Sequence, residues 1–354
     1  NQLLTIRGIW FRNRFQDNIS SGSSDGNSST STNLNGEIQF VTQYDSYSLV
    51  TGLEGTSNRI TDSNIFGEHA GSNFAGYLQL EIDFIRQISI TAGLRLDYFQ
   101  MDSVNSDNQL NPKIGMVFKP FKNFSVRSSL SRGFRAPSLA EVFTSTVAGG
   151  FRVVSNTDLV PEKSTYFELG LNHLFQNRLV FDAAYFYTGL GYLIEADFLP
   201  SGDVQFQNIT SATVYGVEGT VSGQFIPRYL GLSVNYTYVN ATDDNTGEFL
   251  QFRPRHLFYL STRSEFYPFE FMVDYRFIKR YDEIDDNFAA IIEDGDRRVD
   301  AHVVDFRITY PFTAGKTPFR LTFQISNALR YYYTDLIGSL APLRRTSLTL
   351  ETGF

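Results

Sequence analysis

The stretch Ile88-Ser89-Ile90-Thr91-Ala92-Gly93-Leu94-Arg95-Leu96-Asp97-Tyr98 decides how this chain folds. Ile88, Ile90, Ala92, Leu94, Leu96 and Tyr98 alternate with Ser89, Thr91, Gly93, Arg95 and Asp97. A period of two is the strand period, so one face is apolar and the other polar. The pattern recurs. Leu230, Leu232, Val234, Tyr236 and Tyr238 alternate with Ser233, Asn235 and Thr237. Val304, Phe306, Ile308 and Tyr310 alternate with Asp305, Arg307 and Thr309, and Phe319, Leu321, Phe323 and Ile325 with Arg320, Thr322, Gln324 and Ser326. There are about sixteen such segments, most of roughly 10–15 residues, which meets the ~9–11 residues that cross a bilayer at a tilt. Strands of soluble proteins center on ~5–6. No helical pattern of any length interrupts them.

The connections alternate between short and long. Short ones are expected at Tyr44–Ser46, Phe84–Arg86, Pro120–Lys122, Gln176–Arg178, Ile226–Arg228, Tyr267–Phe269 and Thr313–Lys316. Long ones are expected at Asp17–Asn35, Asn58–Asn73, Met101–Gln109, Arg135–Pro161, Asp197–Asp203, Thr242–Gln251, Asp282–Asp296 and Leu329–Leu340. A meander whose every second turn is tight has a short-turn side and a long-loop side, the form of an outer-membrane barrel. Soluble sandwiches place long and short loops at both ends. Ser20–Thr32 also has linker composition, but the strand pattern continues on both sides of it, which favours a loop.

Composition narrows the function classes. The chain of 354 residues is 42% hydrophobic and 15% aromatic, with 33 Phe, 20 Tyr and 27 Gly, a mixture suited to a pleated surface. A net charge of −8 offers no basic face to nucleic acid. The absence of cysteine removes disulfides, thiolate metal sites and cysteine nucleophiles. No run reaches the roughly 18 apolar residues of a membrane helix, while a membrane strand needs only every second residue apolar. His69, His173, His256 and His302 are dispersed and form no catalytic spacing, so no enzyme and no cofactor is expected.

Three groups near the long connections could carry chemistry. Phe143, Phe151, Phe249, Phe252 and Phe288, with Arg253, Arg255 and Arg297, could line a vestibule for a small solute or metal chelate. The competing reading of such rings, favoured for Tyr331–Tyr333, is an aromatic girdle at the lipid interface; that of the arginines is a solvated rim, or contact with lipopolysaccharide phosphates. Asp282, Glu283, Asp285 and Asp286 could hold calcium, although their spacing is not that of an EF-hand and a solvated loop tip is the simpler reading. The last strand carries Thr346, Leu348, Leu350, Thr352 and Phe354 on one face. A terminal aromatic in the outward register is the form that barrel-assembly machinery recognises.

Ser131-Arg132-Gly133-Phe134-Arg135-Ala136-Pro137 resembles the Ser-x-Gly-Phe-Arg-x-Pro strand exit of TonB-dependent outer-membrane receptors. Asn156-Thr157-Asp158-Leu159-Val160-Pro161-Glu162-Lys163-Ser164 is similar to that family's following motif, with Thr157 where Pro is usual. Glu168-Leu169-Gly170-Leu171 and residues 325–354 extend the resemblance. Gly133 and Pro137 suit a strand exit, since Gly permits a sharp turn and Pro lacks the ladder donor. The first motif therefore reads as a corner at the rim.

The resemblance implies an all-β, antiparallel transmembrane barrel in the outer membrane of a Gram-negative bacterium. It implies about 22 strands and a preceding plug. About sixteen strands and no plug are legible here. Residues 1–354 are therefore expected to be one barrel domain, incomplete at its N-terminal side, with its C-terminus periplasmic. The implied activity is import of a scarce solute, first a ferric siderophore, with cobalamin, haem or a glycan open. Energy would come from the TonB complex through the missing region. A passive diffusion porin is the alternative.

Overall fold

The structure, a computed structural model, describes residues 1–16, 28–148, 151–284, 299–336 and 339–353. In chain order the first strands are β1 (Gln2–Gln16), β2 (Ser28–Gln43), β3 (Tyr47–Thr61), β4 (His69–Ile85), β5 (Ile88–Met101), β6 (Val104–Phe121) and β7 (Phe124–Arg135). A five-residue helix, α1 (Leu139–Phe143), and the short strands β8 (Thr146–Ala148) and β9 (Phe151–Val154) follow. Then come β10 (Glu162–Phe175), β11 (Leu179–Phe198), β12 (Val204–Ile226), β13 (Leu230–Asp243), β14 (His256–Phe266), β15 (Phe269–Ile278), β16 (Ala301–Ala314) and β17 (Thr317–Ser326). The hairpin β18 (Thr334–Leu336) and β19 (Ser339–Leu340) precedes β20 (Arg345–Thr352). The expected set of long strands is thus present. Two compact units divide the chain: Asn1–Phe118, Ser128–Phe167 and Thr188–Thr213 form the first, and Lys119–Arg127, Glu168–Tyr187 and Val214–Phe354 the second.

In the first unit β1 to β6 form an antiparallel meander, each paired with the next. Directly opposed residues share a face. One row across the sheet reads Ile6, Ile38, Leu53, Gly76, Leu96, Leu110. The adjacent row, on the other face, reads Arg7, Glu37, Glu54, Ala75, Asp97, Gln109. The burial of these faces is inverted relative to a water-soluble sheet. Ile6 is 70% exposed and Leu53 66%, whereas Asp97 is 2% exposed. Each Leu or Ile left in water forgoes about 1.5–3 kcal/mol, so a wall of them needs an apolar surrounding.

The polar face carries a hydrogen-bonded network at its middle. Glu37 and Glu54 lie directly opposite each other, and cations and a phenol offset the repulsion. Arg95 contacts Glu54 at 2.9 Å and Asp97 at 2.9 Å. Asn73 and Asn111 donate to Asp97 at 3.2 and 3.1 Å. The Tyr77 hydroxyl donates to Glu37 at 2.6 Å and accepts from Gln39 at 3.0 Å. The Tyr77 ring lies over Gly52, its cross-strand neighbour, where a β-carbon would come within 2.3 Å of the ring.

In the second unit β13 to β17 continue the meander and β20 closes onto β17. Its apolar face is bounded by two aromatic belts. At the short-turn end, Tyr229, Phe266, Phe269, Phe271, Tyr310, Phe312 and Phe319 make a chain of ring contacts with centroids 5.3–6.3 Å apart. At the long-loop end, Tyr236 and Tyr275 bond the Nδ1 of His256 and His302, each at 2.8 Å, and Tyr331 packs edge-on against His302. From His256 to Phe266 the strand runs about 33 Å, which a 35–45° tilt reduces to about 25 Å, the height of a membrane barrel's apolar band. Tyr331 packs beside the His302 ring of this belt. Tyr333 lies off the belt: it is 8% exposed, and its hydroxyl accepts from Arg276 on the polar face.

Several connections expected to be long are shorter. Met101–Gln109 is a hairpin in which Met101 opposes Val104, with Asp102 and Ser103 at the turn. Asn58–Asn73 is mostly strand, leaving residues 62–68 between β3 and β4. Of Asp17–Asn35, the part from Ser28 onward is strand and the remainder lies outside the described residues. Alternation fades in these segments because their polar residues occupy both faces, while the backbone ladder continues. The helix α1 lies in a connection and, at five residues, is too short to show a period of 3.6.

Replacing Gly52 by Ala is expected to displace the Tyr77 ring and cost about 1–3 kcal/mol. The same change at Gly8, which has open space on all sides, is expected to cost a few tenths at most. Thermal unfolding of the two variants in detergent checks the contrast.

Candidate functional site at the rim of long connections

Strand β7 leaves the sheet at Arg135, and its guanidinium holds the exit. Nε and Nη2 donate to the two oxygens of Glu162 at 2.7 and 2.6 Å, and Nη1 donates to Glu141 at 2.9 Å. Ser138 caps α1: Glu141 N donates to its hydroxyl at 3.2 Å, and Ser138 N donates to the Glu141 carboxylate at 2.7 Å. This is a reciprocal capping box, and the spacing Ser138-x-x-Glu141 was legible in the sequence. Glu162 also accepts from Ile194 N at 2.9 Å. Burial alone would raise the Glu141 carboxyl, but hydrogen bonds from Arg135 and Ser138 outweigh it and hold it below the usual carboxylate value.

The clasp covers a small apolar core. Ile60, Leu139, Val142, Phe143, Leu159 and Ile194 pack together, with Phe66, Met101, Val104 and Phe206 against them. Phe143, expected in a vestibule, is 6% exposed and stacks on His69 at 3.5 Å between centroids. It is a core ring of this unit, held there because α1 turns its apolar side inward. Gly133 passes Ser164 closely, with a β-carbon position 3.1 Å from its hydroxyl. Pro137 and Pro161 are buried, and Phe134 and Ser131 are half-buried. Asn156 donates to Phe206 O at 2.8 Å and accepts from Asp158 N at 3.0 Å. The two motif segments are joined at one corner, where β7 ends.

The expected arginine and aromatic residues of the second unit come together in part. The Arg255 guanidinium lies over the Phe249 ring at 4.5 Å and the Tyr238 ring at 5.7 Å, and donates to the Tyr238 hydroxyl at 3.0 Å. Its Nε is buried without a hydrogen-bond partner, with Asp282 at 3.7 Å. Phe252 meets Tyr281 edge-on at 6.0 Å, and its amide donates to Glu283 O at 3.0 Å. Tyr238 and Tyr281 were not singled out from the sequence. Arg253 donates to the Phe252 carbonyl at 3.5 Å. Phe151, in the first unit, packs edge-on against Phe198 at 5.1 Å.

Phe288, Arg297, Asp285, Asp286 and Phe354 lie outside the described residues. Among the described residues no group of three or more His, Asp or Glu is placed to hold a metal ion. Asn327, from the C-terminal motif, is 3% exposed and accepts from Tyr331 N at 2.8 Å while donating to Tyr331 O at 2.8 Å and Pro342 O at 3.3 Å. It ties the base of the last long connection.

Residues 3–328 match the family described as TonB dependent receptor-like, beta-barrel. The chain belongs to the TonB-dependent receptor family. It is 29% identical over 221 residues to an iron-regulated outer membrane virulence protein of Vibrio cholerae, covering 57% of this chain and 32% of that protein. It is 27% identical over 211 residues to heme/hemopexin utilization protein C of Haemophilus influenzae, covering 51% and 30%. The copper transporter OprC superposes with a TM-score of 0.79 at 16% identity, over 99% of this chain and 62% of that one. The siderophore receptor PirA of Acinetobacter baumannii gives 0.73 at 16%, over 99% and 59%. The chain thus spans about a third of the length of the curated relatives in sequence and about three fifths of the solved structures. Receptors of this family are outer-membrane β-barrels, which accounts for the exposed apolar face and the aromatic belts.

In this receptor barrel, Arg135→Gln is expected to loosen the corner by about 1.5–3 kcal/mol, leaving two carboxylates without their cation. A carboxyl held below its unfolded pKa of about 4.3 stabilises above that pH, and the contribution is lost as pH falls through the lower folded value. Hydrogen exchange at Leu139–Phe143 should therefore be steady from neutral pH to about 5, after correction for intrinsic rates. It should accelerate below about 4. In the variant it should be fast at every pH.

Proposed function

We propose that this chain is the C-terminal part of the barrel of a receptor that imports a scarce solute, first a ferric siderophore or similar metal chelate. The observation that carries the reading is the rim cluster of Arg255, Tyr238 and Phe249. It offers two aromatic faces with a guanidinium stacked over them, whose Nε makes no hydrogen bond and has Asp282 at 3.7 Å. An anionic, ring-bearing chelate satisfies that combination, since it supplies an oxygen to the guanidinium and flat surface to the rings. The names of the relatives, iron-regulated, siderophore and haem, support the same solute class. The remaining strands and plug belong to the intact receptor, and energy reaches it from the TonB complex. The long connections face outward, the C-terminus is periplasmic, and lipopolysaccharide surrounds the outer rim.

Deletion of the gene is expected to slow growth only when iron is limiting and supplied as a ferric siderophore. Arg255→Ala in the intact receptor should weaken siderophore binding by about ten-fold. Growth unchanged on every ferric siderophore, haem and copper source tested would sink the importer reading. A steady open conductance of the intact protein in a planar bilayer would favour a diffusion porin instead.

A further inference from the structure

Strand β1 carries Arg12 and Arg14 at its long-connection end, and β3 carries Arg59. Arg12 stands opposite Thr32 on β2, and Thr32 stands opposite Arg59. Directly opposed residues share a face, so the two arginines flank Thr32, two strand spacings or about 10 Å apart. Arg14 follows on the same face about 7 Å further along β1. Stepping back by two along β1 leads from Arg12 through Trp10 and Gly8 to Ile6. All three arginines are therefore on the apolar, lipid-facing side of the sheet. From Gln2 to Arg12 the strand runs about 34 Å, which a 35–45° tilt reduces to about 26 Å. The arginines thus mark the upper edge of the apolar band, away from the tight β2–β3 turn.

These cations lack counter-ions. All three are exposed, and none makes an ion pair among the described residues. Arginines of the polar face in the same unit differ: Arg7 lies 3.7 Å from Glu37, Arg95 2.9 Å from Glu54 and Arg135 2.6 Å from Glu162. No Asp or Glu occupies the lipid-facing positions of β1, β2 or β3. Like charges gathered on one face of a sheet cost stability. Beneath them the same face opens. Gly8, Gly36 and Gly55 oppose one another across the three strands. A β-carbon at Gly8 or Gly36 would meet nothing within 4 Å, and one at Gly55 would meet only the Phe74 ring, at 3.4 Å. Trp10 and Leu34 bound this trough on one side, and Ile6, Ile38 and Leu53 on the other, all of them exposed. Because the strands tilt, a trough running across them slopes down into the bilayer.

We propose that this face of β1–β3 seats one lipopolysaccharide molecule, with its lipid A phosphates on Arg12, Arg14 and Arg59 and an acyl chain in the glycine trough beside Trp10. The proposal rests on the reading that the long connections face outward. Guanidinium groups suit phosphate because each can give two parallel hydrogen bonds to its oxygens. Their long stems lie along apolar surface while the charged ends reach the head-group layer. The spread of the three cations fits a head with two phosphates better than one compact anion. The bare backbone of the trough lets a chain approach more closely than the surrounding Leu and Ile side chains allow. The face is on the outside of the barrel, so neither a plug nor a solute in the lumen covers it.

In the test, the intact receptor is stripped of lipid in detergent and titrated with hexa-acylated lipid A, and the bound lipid is counted by native mass spectrometry. One molecule is expected to be retained saturably. Arg12→Gln combined with Arg59→Gln should weaken retention about ten-fold. Gly36→Leu, which fills the trough and leaves every charge in place, should weaken it about four-fold. Unfolding temperatures close to that of the parent show that both variants are folded. Equal retention by the double variant, equal retention of lipid A stripped of its phosphates, or equal retention of phosphatidylglycerol would overturn the proposal. So would saturable binding of inorganic phosphate that displaces the lipid at matched concentration. Glu68 is exposed in the connection after β3. Labelling of Glu68→Cys on intact cells by a membrane-impermeant maleimide reports separately whether that side faces outward, and siderophore binding by the same preparation reports on import. Loss of lipid retention alone therefore strikes only the seat.

Discussion

Every backbone donor and acceptor that enters hydrocarbon must find its partner within the protein, and this constraint shapes the whole chain. An unpaired peptide group in lipid costs several kcal/mol, so membrane strands must be laddered along their full length. The consequence is visible in the registers, where β2 pairs with β3 from Thr30 to Gln43 and β4 with β5 from Gly71 to Ile85. Once the ladder is fixed, side chains have only two directions. One meets lipid and is free to be apolar. The other must carry all the polar chemistry. Asp97, Glu54, Arg95 and Tyr77 are close together because the ladder stacks their rows, and no loop is needed to assemble them.

Charge on the inner faces follows from the same stacking. Registers that align apolar residues across one face also align charged ones across the other. Glu37 against Glu54, and Asp274 against Asp305, are like-charge pairs in direct opposition. Such pairs persist only where other groups quench them. Arg7, Arg95 and Tyr77 do so for the first, and Tyr259 and the Asn327 amide for the second. Arg127 shows the cationic version, held by Glu168 at 2.8 Å and by both oxygens of Asp182 at 2.9 Å. It lies against Gly170, where no side chain competes for the space.

How much of this was legible in the sequence depends on where lipid is. Alternation is written only where one face meets hydrocarbon, so Ile88–Tyr98 and Phe319–Ser326 were readable to the residue. Ser28–Asn35 continues β2 beyond the alternating stretch, with Ser, Thr and Asn on both faces. The period disappears there while the hydrogen bonds persist, which is why loops were expected where strands continue. Phe143 was misjudged for a related reason. A ring after a strand exit can face solvent or fold back, and α1 decides between them. Its capping box was present at Ser138 and Glu141, but five residues carry no helical period.

The rim residues lie beyond the reach of periodicity, and there the sequence is informative through side-chain type instead. Long connections leave backbone groups that the ladder no longer pairs. Short amides take them over: Asn156 bonds Phe206 O, Asn208 bonds Val160 O and Tyr192 O, and Asn327 bonds Tyr331 O. A carboxylamide can donate and accept at once, so one side chain closes a turn that would otherwise need several backbone bonds. Arg135 does the same for two carboxylates. The motifs that mark the family in this chain are therefore the knots that keep long connections in place. Their conformity says that the rim corner is built, and Arg255, Phe249 and Tyr238 are not part of them.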